Sequence, residues 1–146
     1  MKKILFFLSI LLLASCTQNG GHIGKIFGRW HIDSIEADGC DAPPAALNLY
    51  WAFQTDVIQM QRENGHNNFS TIYGRYRIDD NTLFIDFPEA SLPNASEGQP
   101  PFAETGLARQ SALQILRFTS HELVLSYHPD PATDPSATIT YHLRKI

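Results

Sequence analysis

The chain has 146 residues, a size that favours a single domain. Its 11 Lys and Arg residues against 15 Asp and Glu residues give a net charge of -4, and a nucleic-acid-binding surface needs a basic excess, so nucleic acid is excluded as a partner. A hydrophobic content of 43% with 11% aromatic residues is enough to fill one core, which excludes a wholly disordered chain.

The N-terminus has the pattern of a secretion signal. A methionine and two lysines give it a positive start, and Ile4–Leu13 is an apolar run too short to cross a bilayer, which needs about 20 residues. The run ends in Leu13-Ala14-Ser15-Cys16, which resembles the lipobox of bacterial lipoproteins. The resemblance implies that a signal peptide over residues 1–15 is removed and that Cys16 is acylated. The alternative is an ordinary cleaved signal with a cysteine at this place by chance.

Residues 16–25 are predicted to form a flexible tether, because residues 17–25 hold three glycines and one aliphatic residue. A domain on so short a tether stays close to the membrane surface. No Asp follows Cys16 directly, and by resemblance to lipoprotein sorting this implies an outer-membrane lipoprotein, with the periplasmic face slightly favoured. If Cys16 is acylated, Cys40 has no partner within the chain, so we expect no internal disulfide.

From Phe27 onward, apolar residues alternate with polar ones in segment after segment, which indicates strands with one buried face. Turn residues separate the segments, and all nine prolines lie outside them, as the missing backbone donor requires. We predict eight strands, over Gly28–Glu36, Asn48–Gln54, Val57–Gln61, Phe69–Asp79, Thr82–Phe87, Leu113–Phe118, Glu122–Tyr127 and Ala137–Arg144.

Short links between these strands favour antiparallel neighbours, and eight such strands can close into an up-and-down barrel, which removes both sheet edges. The predicted fold is therefore an all-β, eight-stranded antiparallel barrel over residues 26–146. The strand Leu113–Phe118 has apolar residues at both parities, so its facing stays open. For the other strands, alternation assigns to the interior Trp30, Ile32, Leu49, Trp51, Phe53, Ile58, Met60, Ile72, Tyr76, Ile78, Leu83, Ile85, Phe87, Leu123, Leu125, Tyr127, Ile139, Tyr141 and Leu143.

One link is long. Residues 88–106 hold four prolines, two glycines and three glutamates, with Leu92 and Phe102 as their only large apolar residues. Such a segment cannot bury a core of its own, so we predict a mobile flap at the barrel rim rather than a second domain. A short helical turn over Thr105–Gln110 is expected before the next strand.

Several short patterns resemble the lipocalin family. Gly28-Arg29-Trp30, at the start of the first strand, resembles its G-x-W signature, and Tyr141-His142-Leu143-Arg144 resembles its last strand. The resemblance implies that Trp30 plugs the closed end of the barrel and that Arg144 packs across its ring. Gly74-x-Tyr76 and Leu123-Val124-Leu125 further resemble the small lipocalin-like lipoproteins of gut bacteria. The chain is shorter than long lipocalins and lacks their usual helix after the barrel.

The sequence holds no motif for catalysis or for a cofactor. Nucleophile-elbow, P-loop and dinucleotide-binding patterns are absent. The histidines have neither His-x-His nor His-Glu-x-x-His spacing, so solvated imidazoles are favoured over metal ligands. We therefore predict no enzyme activity, no cofactor and no metal. The histidines are His22, His31, His66, His121, His128 and His142.

Binding is predicted to depend on the aromatic residues of the interior. Mixed with aliphatic side chains, they would line an apolar cavity with a few hydroxyl groups for orientation. The first hypothesis is therefore a membrane-anchored protein that binds a small apolar or amphipathic ligand in the barrel. The alternative is a filled barrel that serves as an interaction or inhibitor module for a protein of the cell envelope. The candidate ligand-binding residues are Trp51, Phe53, Met60, Tyr76, Tyr127 and Tyr141.

Overall fold

The computed structural model describes residues 23–40, 48–88, 102–129, 134 and 136–146. Within them, eight antiparallel strands form a closed barrel in which each strand pairs with the next and β8 pairs with β1, which confirms the predicted fold. The elements are one helical turn, α1 (Ile23–Ile26), and the strands β1 (Gly28–Asp38), β2 (Leu49–Gln54), β3 (Val57–Glu63), β4 (Phe69–Asp79), β5 (Thr82–Asp86), β6 (Gln110–Phe118), β7 (Glu122–Tyr127) and β8 (Thr138–Lys145).

All eight predicted strands are present, with ends that differ by a few residues. The largest difference is in β6, which begins at Gln110 because Gln110 and Ser111 pair with the last residues of β5. Strand β3 continues past Gln61 to Glu63, where it pairs with Phe69 of β4. This extension places one more inward position, Arg62, on the strand.

A β-bulge settles the facing of β6. Leu113 and Ile115 are buried in the barrel, whereas Leu116 is 56% exposed. The pairing with β7 shifts register between Ile115 and Arg117, so one extra residue lies on the outer side. The bulge therefore explains why apolar residues occupy both parities of this strand.

The interior residues assigned by alternation are confirmed as buried, with one difference. Ile78 is only partly buried, since it lies one residue from the end of β4. The others form one continuous core with Ile26, Phe102, Leu107, Leu113 and Ile115. Burying a side chain of this size stabilises a fold by about 1.5–3 kcal/mol, so this core is the main source of stability.

The barrel is closed by α1 at the end where β1 begins, which we call the closed end. Ile26 is buried there, and its carbonyl accepts a hydrogen bond of 2.8 Å from the indole Nε1 of Trp30. The predicted flexible tether is wrong in its last residues, because residues 23–25 belong to this helical turn. Its remaining part, residues 16–22, lies outside the described residues.

Trp30 is fully buried beneath α1, but the cation beside it is not the one that the sequence predicted. The ammonium group of Lys145 lies 5.3 Å from the centre of the Trp30 ring. Arg144 instead donates hydrogen bonds to the Asp33 carboxylate on the outer surface, so the prediction that it covers Trp30 is wrong. Parity is the reason, since Leu143 points inward and the next residue of a strand must point outward.

The opposite end of the barrel is covered by residues 102–108, which we call the lid. Phe102, Thr105 and Leu107 are buried, and Phe102 stacks on Phe87 with ring centres 5.0 Å apart. The predicted flap thus packs against the barrel rim over this part of the link in the closed conformation, and its mobility stays a prediction. The expected helical turn lies slightly earlier, as a 3-10 turn over Ala103–Thr105. Residues 89–101, with Leu92, lie outside the described residues.

Gly74 makes room for this stack. A Cβ atom at position 74 would lie 2.7 Å from the Asp86 carbonyl oxygen and 2.7 Å from the ring of Phe87. Only a glycine lets β4 approach the end of β5 this closely.

None of the helices in the described part of the chain is long and apolar enough to span a membrane.

Candidate functional site

The residues predicted to bind a ligand project into the barrel, where their rings form a continuous cluster. The ring centre of Trp51 lies 5.8 Å from that of Tyr141 and 6.4 Å from that of Phe53. Phe53 contacts Tyr76 edge to face, at 5.0 Å. Met60 is paired with Trp51 across β2 and β3, so the fold does bring these five residues together.

No preformed cavity lies against most of this cluster. Trp51, Phe53, Met60 and Tyr141 have no solvent-accessible surface, so no void large enough for a water molecule touches them. Tyr127, the last of the candidate residues, has only 5% of its surface accessible to solvent. The hypothesis of an open cavity lined by these residues is therefore corrected: in this conformation side chains fill the barrel around them.

Two polar groups in the cluster have no hydrogen-bond partner within the described part of the chain. They are the indole Nε1 of Trp51 and the hydroxyl group of Tyr76, and both are buried. Leaving such a group unpaired costs about 1–3 kcal/mol, and the large majority of buried polar side-chain atoms in proteins are paired. Burial raises the pKa of Tyr76, and the Asp56 carboxylate adds to the shift. The interior thus offers two unused donors to a bound molecule.

Two tyrosines of the cluster hold the lid. The hydroxyl of Tyr141, on β8, donates a hydrogen bond of 2.7 Å to the carbonyl of Thr105. The hydroxyl of Tyr127, on β7, accepts a weaker one of 3.4 Å from the amide of Ala108. Burial raises the pKa of Tyr141 strongly, and the neighbouring Tyr127 contributes to the shift. Tyr141 therefore acts as a neutral hydrogen-bonding group under the lid.

An ion pair provides a third attachment of the lid. The guanidinium group of Arg62 is paired with the carboxylate of Glu104, and both side chains are about three-quarters buried. Arg62 has the same inward parity as Ile58 and Met60, and it lies where β3 reaches the lid. Arg62 is not among the residues predicted from the sequence, because the predicted strand ends at Gln61. The signal that the sequence offered is that Arg62, a basic residue, continues the alternating row of inward apolar residues Ile58 and Met60.

A cavity of about 540 Å³ lies at the wall of the barrel over β4, β5 and β6, and Tyr76 of the ring cluster is among its lining residues. Arg77 crosses it, with its guanidinium 3.8 Å from the ring centre of Phe84 and 3.3 Å from the Asp79 carboxylate. This volume is in the range of small-molecule sites, but the cavity is open to solvent and its arginines are already paired. Its lining residues are Asp56, Arg75, Tyr76, Arg77, Phe84, Ile85, Asp86, Gln110, Ser111 and Ala112.

The five histidines among the described residues are dispersed over the surface. His31 lies 2.7 Å from the Asp33 carboxylate, and His142 lies 3.5 Å from that of Glu36. Across the described residues, no group of three His, Cys, Asp or Glu side chains is arranged to hold a metal ion. Cys40 is a free, partly buried thiol, 3.9 Å from the carbonyl of Thr138. Cys16 lies outside the described residues, so its acylation stays a prediction.

A closed eight-stranded up-and-down barrel is the architecture of lipocalin-like proteins. This chain belongs to the lipocalin-like domain family, whose model matches residues 11–129. The resemblance seen in the sequence is thus confirmed. The match ends before β8, which nevertheless closes the barrel by pairing with β1.

Two solved structures show the same fold. One is a lipocalin-like protein from Bacteroides uniformis, with a TM-score of 0.60 and 12% sequence identity, and the match covers 84% of this chain and 100% of that one. The other is an uncharacterized protein from Bacteroides eggerthii, with a TM-score of 0.58 and 14% identity over 83% of this chain and 99% of that one. No curated protein matches the sequence significantly. A lipocalin-like barrel suggests small-ligand binding rather than catalysis.

Proposed function

We propose that this protein is a lipid-anchored, non-enzymatic binding protein that takes a small amphipathic molecule into the lid end of its barrel. The observation that carries the proposal is the pair of unused donors, Trp51 Nε1 and the Tyr76 hydroxyl, inside an otherwise apolar interior. A core that serves packing alone has no use for them, because each costs stability when it is unpaired.

The lid provides the route into the interior. Because the barrel is filled around Trp51, a ligand has to take the space that Phe102 and Leu107 occupy in the closed conformation. The lid lies in the link between β5 and β6, outside the strand pairing, so it can leave without breaking a pair of strands. Opening exposes mainly those two apolar side chains, and a bound apolar group restores their contacts with the core.

The anchor supports the same function. Acylation of Cys16, implied by Leu13-Ala14-Ser15-Cys16, would hold the barrel at an outer membrane, where amphipathic molecules are concentrated. More than one acyl chain is needed for stable attachment, as the mature lipoprotein form provides. The periplasmic face is favoured slightly over the cell surface.

Two measurements test the proposal. Native mass spectrometry of the protein extracted from its membrane should show a bound small molecule. A dansyl-labelled medium-chain fatty acid should also bind and quench, by energy transfer, the emission of Trp51 and of Trp30, its partner across β1 and β2. A protein that carries no molecule and leaves the probe unbound would contradict ligand binding in the barrel.

A second function is favoured by the filled interior together with the outer cavity. In this alternative the barrel is a scaffold, and the wall around Phe84 docks a protein of the cell envelope. Phe84→Ser should then abolish capture of that protein. Under the first function the same variant binds the dansyl probe as the native protein does.

A further inference from the structure

We infer that Arg62 is the binding site for the anionic head group of the ligand and that Glu104 of the lid occupies this site in the closed conformation. The inference rests on the proposed function and adds the chemical class of the ligand. That class is an amphiphile with one apolar chain and an oxyanion head, a carboxylate or a phosphate monoester.

The guanidinium group of Arg62 is held in place by the β3–β4 hairpin, independently of the lid. Its Nε donates a hydrogen bond of 2.8 Å to the side-chain carbonyl of Asn64. One terminal nitrogen lies 3.3 Å from the hydroxyl of Ser70, the residue that pairs with Arg62 across the hairpin. Asn64 also donates to Ser70, at 2.7 Å, so the three side chains form one network. Arg62 is therefore oriented before any ligand arrives.

The other terminal nitrogen points to the lid and makes the pair with Glu104. When the lid leaves, this donor loses its partner, and an incoming anion can take the place of the Glu104 carboxylate. A carboxylate or phosphate matches the planar donor geometry of arginine better than a neutral group does.

The position of Arg62 fixes where the apolar chain lies. Arg62 is paired with Leu49 of β2, and two residues back along the inward row of β3 is Met60, next to Trp51. An amphiphile with its head at Arg62 therefore places its chain against Met60 and Trp51, in the direction of the unused indole donor. Head and chain sites lie in one line from the mouth of the barrel to its interior.

Competitive displacement of the dansyl-labelled fatty acid tests the inference. The competitors share one chain and differ in the head: dodecanoate, dodecyl phosphate and the neutral dodecanol. We expect the better of the two anions to displace the probe at a concentration at least tenfold lower than dodecanol does. The order of the two anions identifies the natural head group as a carboxylate or a phosphate.

Two substitutions should act in opposite directions. The probe is itself a carboxylate, so its affinity is measured in each variant and the dissociation constants of the competitors are calculated from it. On that scale, Arg62→Gln should remove the preference for anions and leave the dissociation constant of dodecanol unchanged. Glu104→Gln should increase the affinity for anions several-fold, because the competing carboxylate is gone. The matched controls are Arg117→Gln and Glu122→Gln, which break an exposed ion pair of 3.0 Å at the closed end. Both should bind all three competitors as the native protein does.

The outcomes separate this inference from the proposed function. If no competitor displaces the probe because the probe itself does not bind, ligand binding in the barrel is contradicted. If the probe binds and dodecanol competes as well as both anions, or if Arg62→Gln keeps the preference for anions, the role of Arg62 is overturned while ligand binding stands.

Discussion

The ammonium group of Lys145 lies 5.3 Å from the centre of the Trp30 ring, at the closed end of the barrel. A cation over an indole face stabilises by about 0.5–1 kcal/mol at a partly exposed site. In a double-mutant cycle, Trp30→Leu and Lys145→Met should therefore be non-additive by about that amount in the free energy of unfolding. Trp30→Leu and Arg144→Met should be additive within error, because Arg144 faces Asp33. Coupling to Arg144 instead of Lys145 would contradict the assignment.

Gly74→Ala should destabilise the protein by about 1–3 kcal/mol, the usual cost of overpacking a core. The added methyl group would meet the Asp86 carbonyl and the Phe87 ring at 2.7 Å, and Phe87 in turn supports the lid through Phe102. Gly24→Ala is the matched control, since a Cβ at position 24 meets nothing within 4 Å. Urea unfolding of both variants checks this, and equal stabilities would show that the close approach is not needed.

Tyr141→Phe should loosen the lid by removing the hydrogen bond to Thr105. The loss in stability should be about 1–3 kcal/mol, because the buried carbonyl is left unpaired. The raised pKa of Tyr141 adds a dependence on pH: the unfolded phenol ionises near its ordinary value of about 10, so this contribution is present below that value and is lost above it. Between neutral pH and pH values above about 10, the variant should lose less stability than the native protein does. Parallel curves would show that Tyr141 does not titrate on unfolding.

Asp33→Asn should change how the free energy of unfolding depends on pH in the acid range. Hydrogen bonds from Arg144 and His31 lower the pKa of Asp33, so its ionised form stabilises the fold above the ordinary Asp value of about 3.9. That contribution is lost as the pH falls through the lower folded value. The pair is exposed, so the effect is small. The difference in stability between the two proteins should be present at pH values well above about 3.9 and should disappear below it. A difference that grows in acid would contradict the assignment.

Cys16→Ala should abolish acylation and membrane association. The apolar run of the signal is too short to span a bilayer, which needs about 20 residues. Fractionation of cells and mass spectrometry of the N-terminal peptide check this prediction, with Cys40→Ala as the matched control. A Cys16→Ala protein that stays in the membrane fraction would contradict the lipobox interpretation.

The barrel could be predicted from the sequence because alternation is a local signal. Trp51, Phe53 and Met60 are inward by parity alone, and strand order follows from short links. Register shifts are not visible in this way. The bulge at Ile115 depends on the pairing of β6 with β7. That Lys145, and not the predicted Arg144, lies beside the Trp30 ring depends on where the row of inward residues of β8 ends.

The site could be predicted only in part, because its closure depends on contacts between distant residues. The sequence indicated an aromatic interior, but not that Phe102 and Leu107 would complete it. Glu104 and Arg62 are far apart in the chain, and nothing local indicates that they pair. The unused donors at Trp51 and Tyr76 likewise become apparent only when every neighbour is in place.

Hydrogen exchange in the lid, with and without a saturating dansyl-labelled fatty acid, tests most directly whether ligands enter beneath residues 102–108. The amide of Ala108 donates to the hydroxyl of Tyr127 on β7, so its protection reports the closed lid. If the ligand displaces the lid, this amide should exchange faster in the complex, while the amides of β2 around Trp51 stay protected. If the probe binds and the Ala108 amide remains as protected as before, the ligand lies elsewhere, and entry beneath the lid is contradicted.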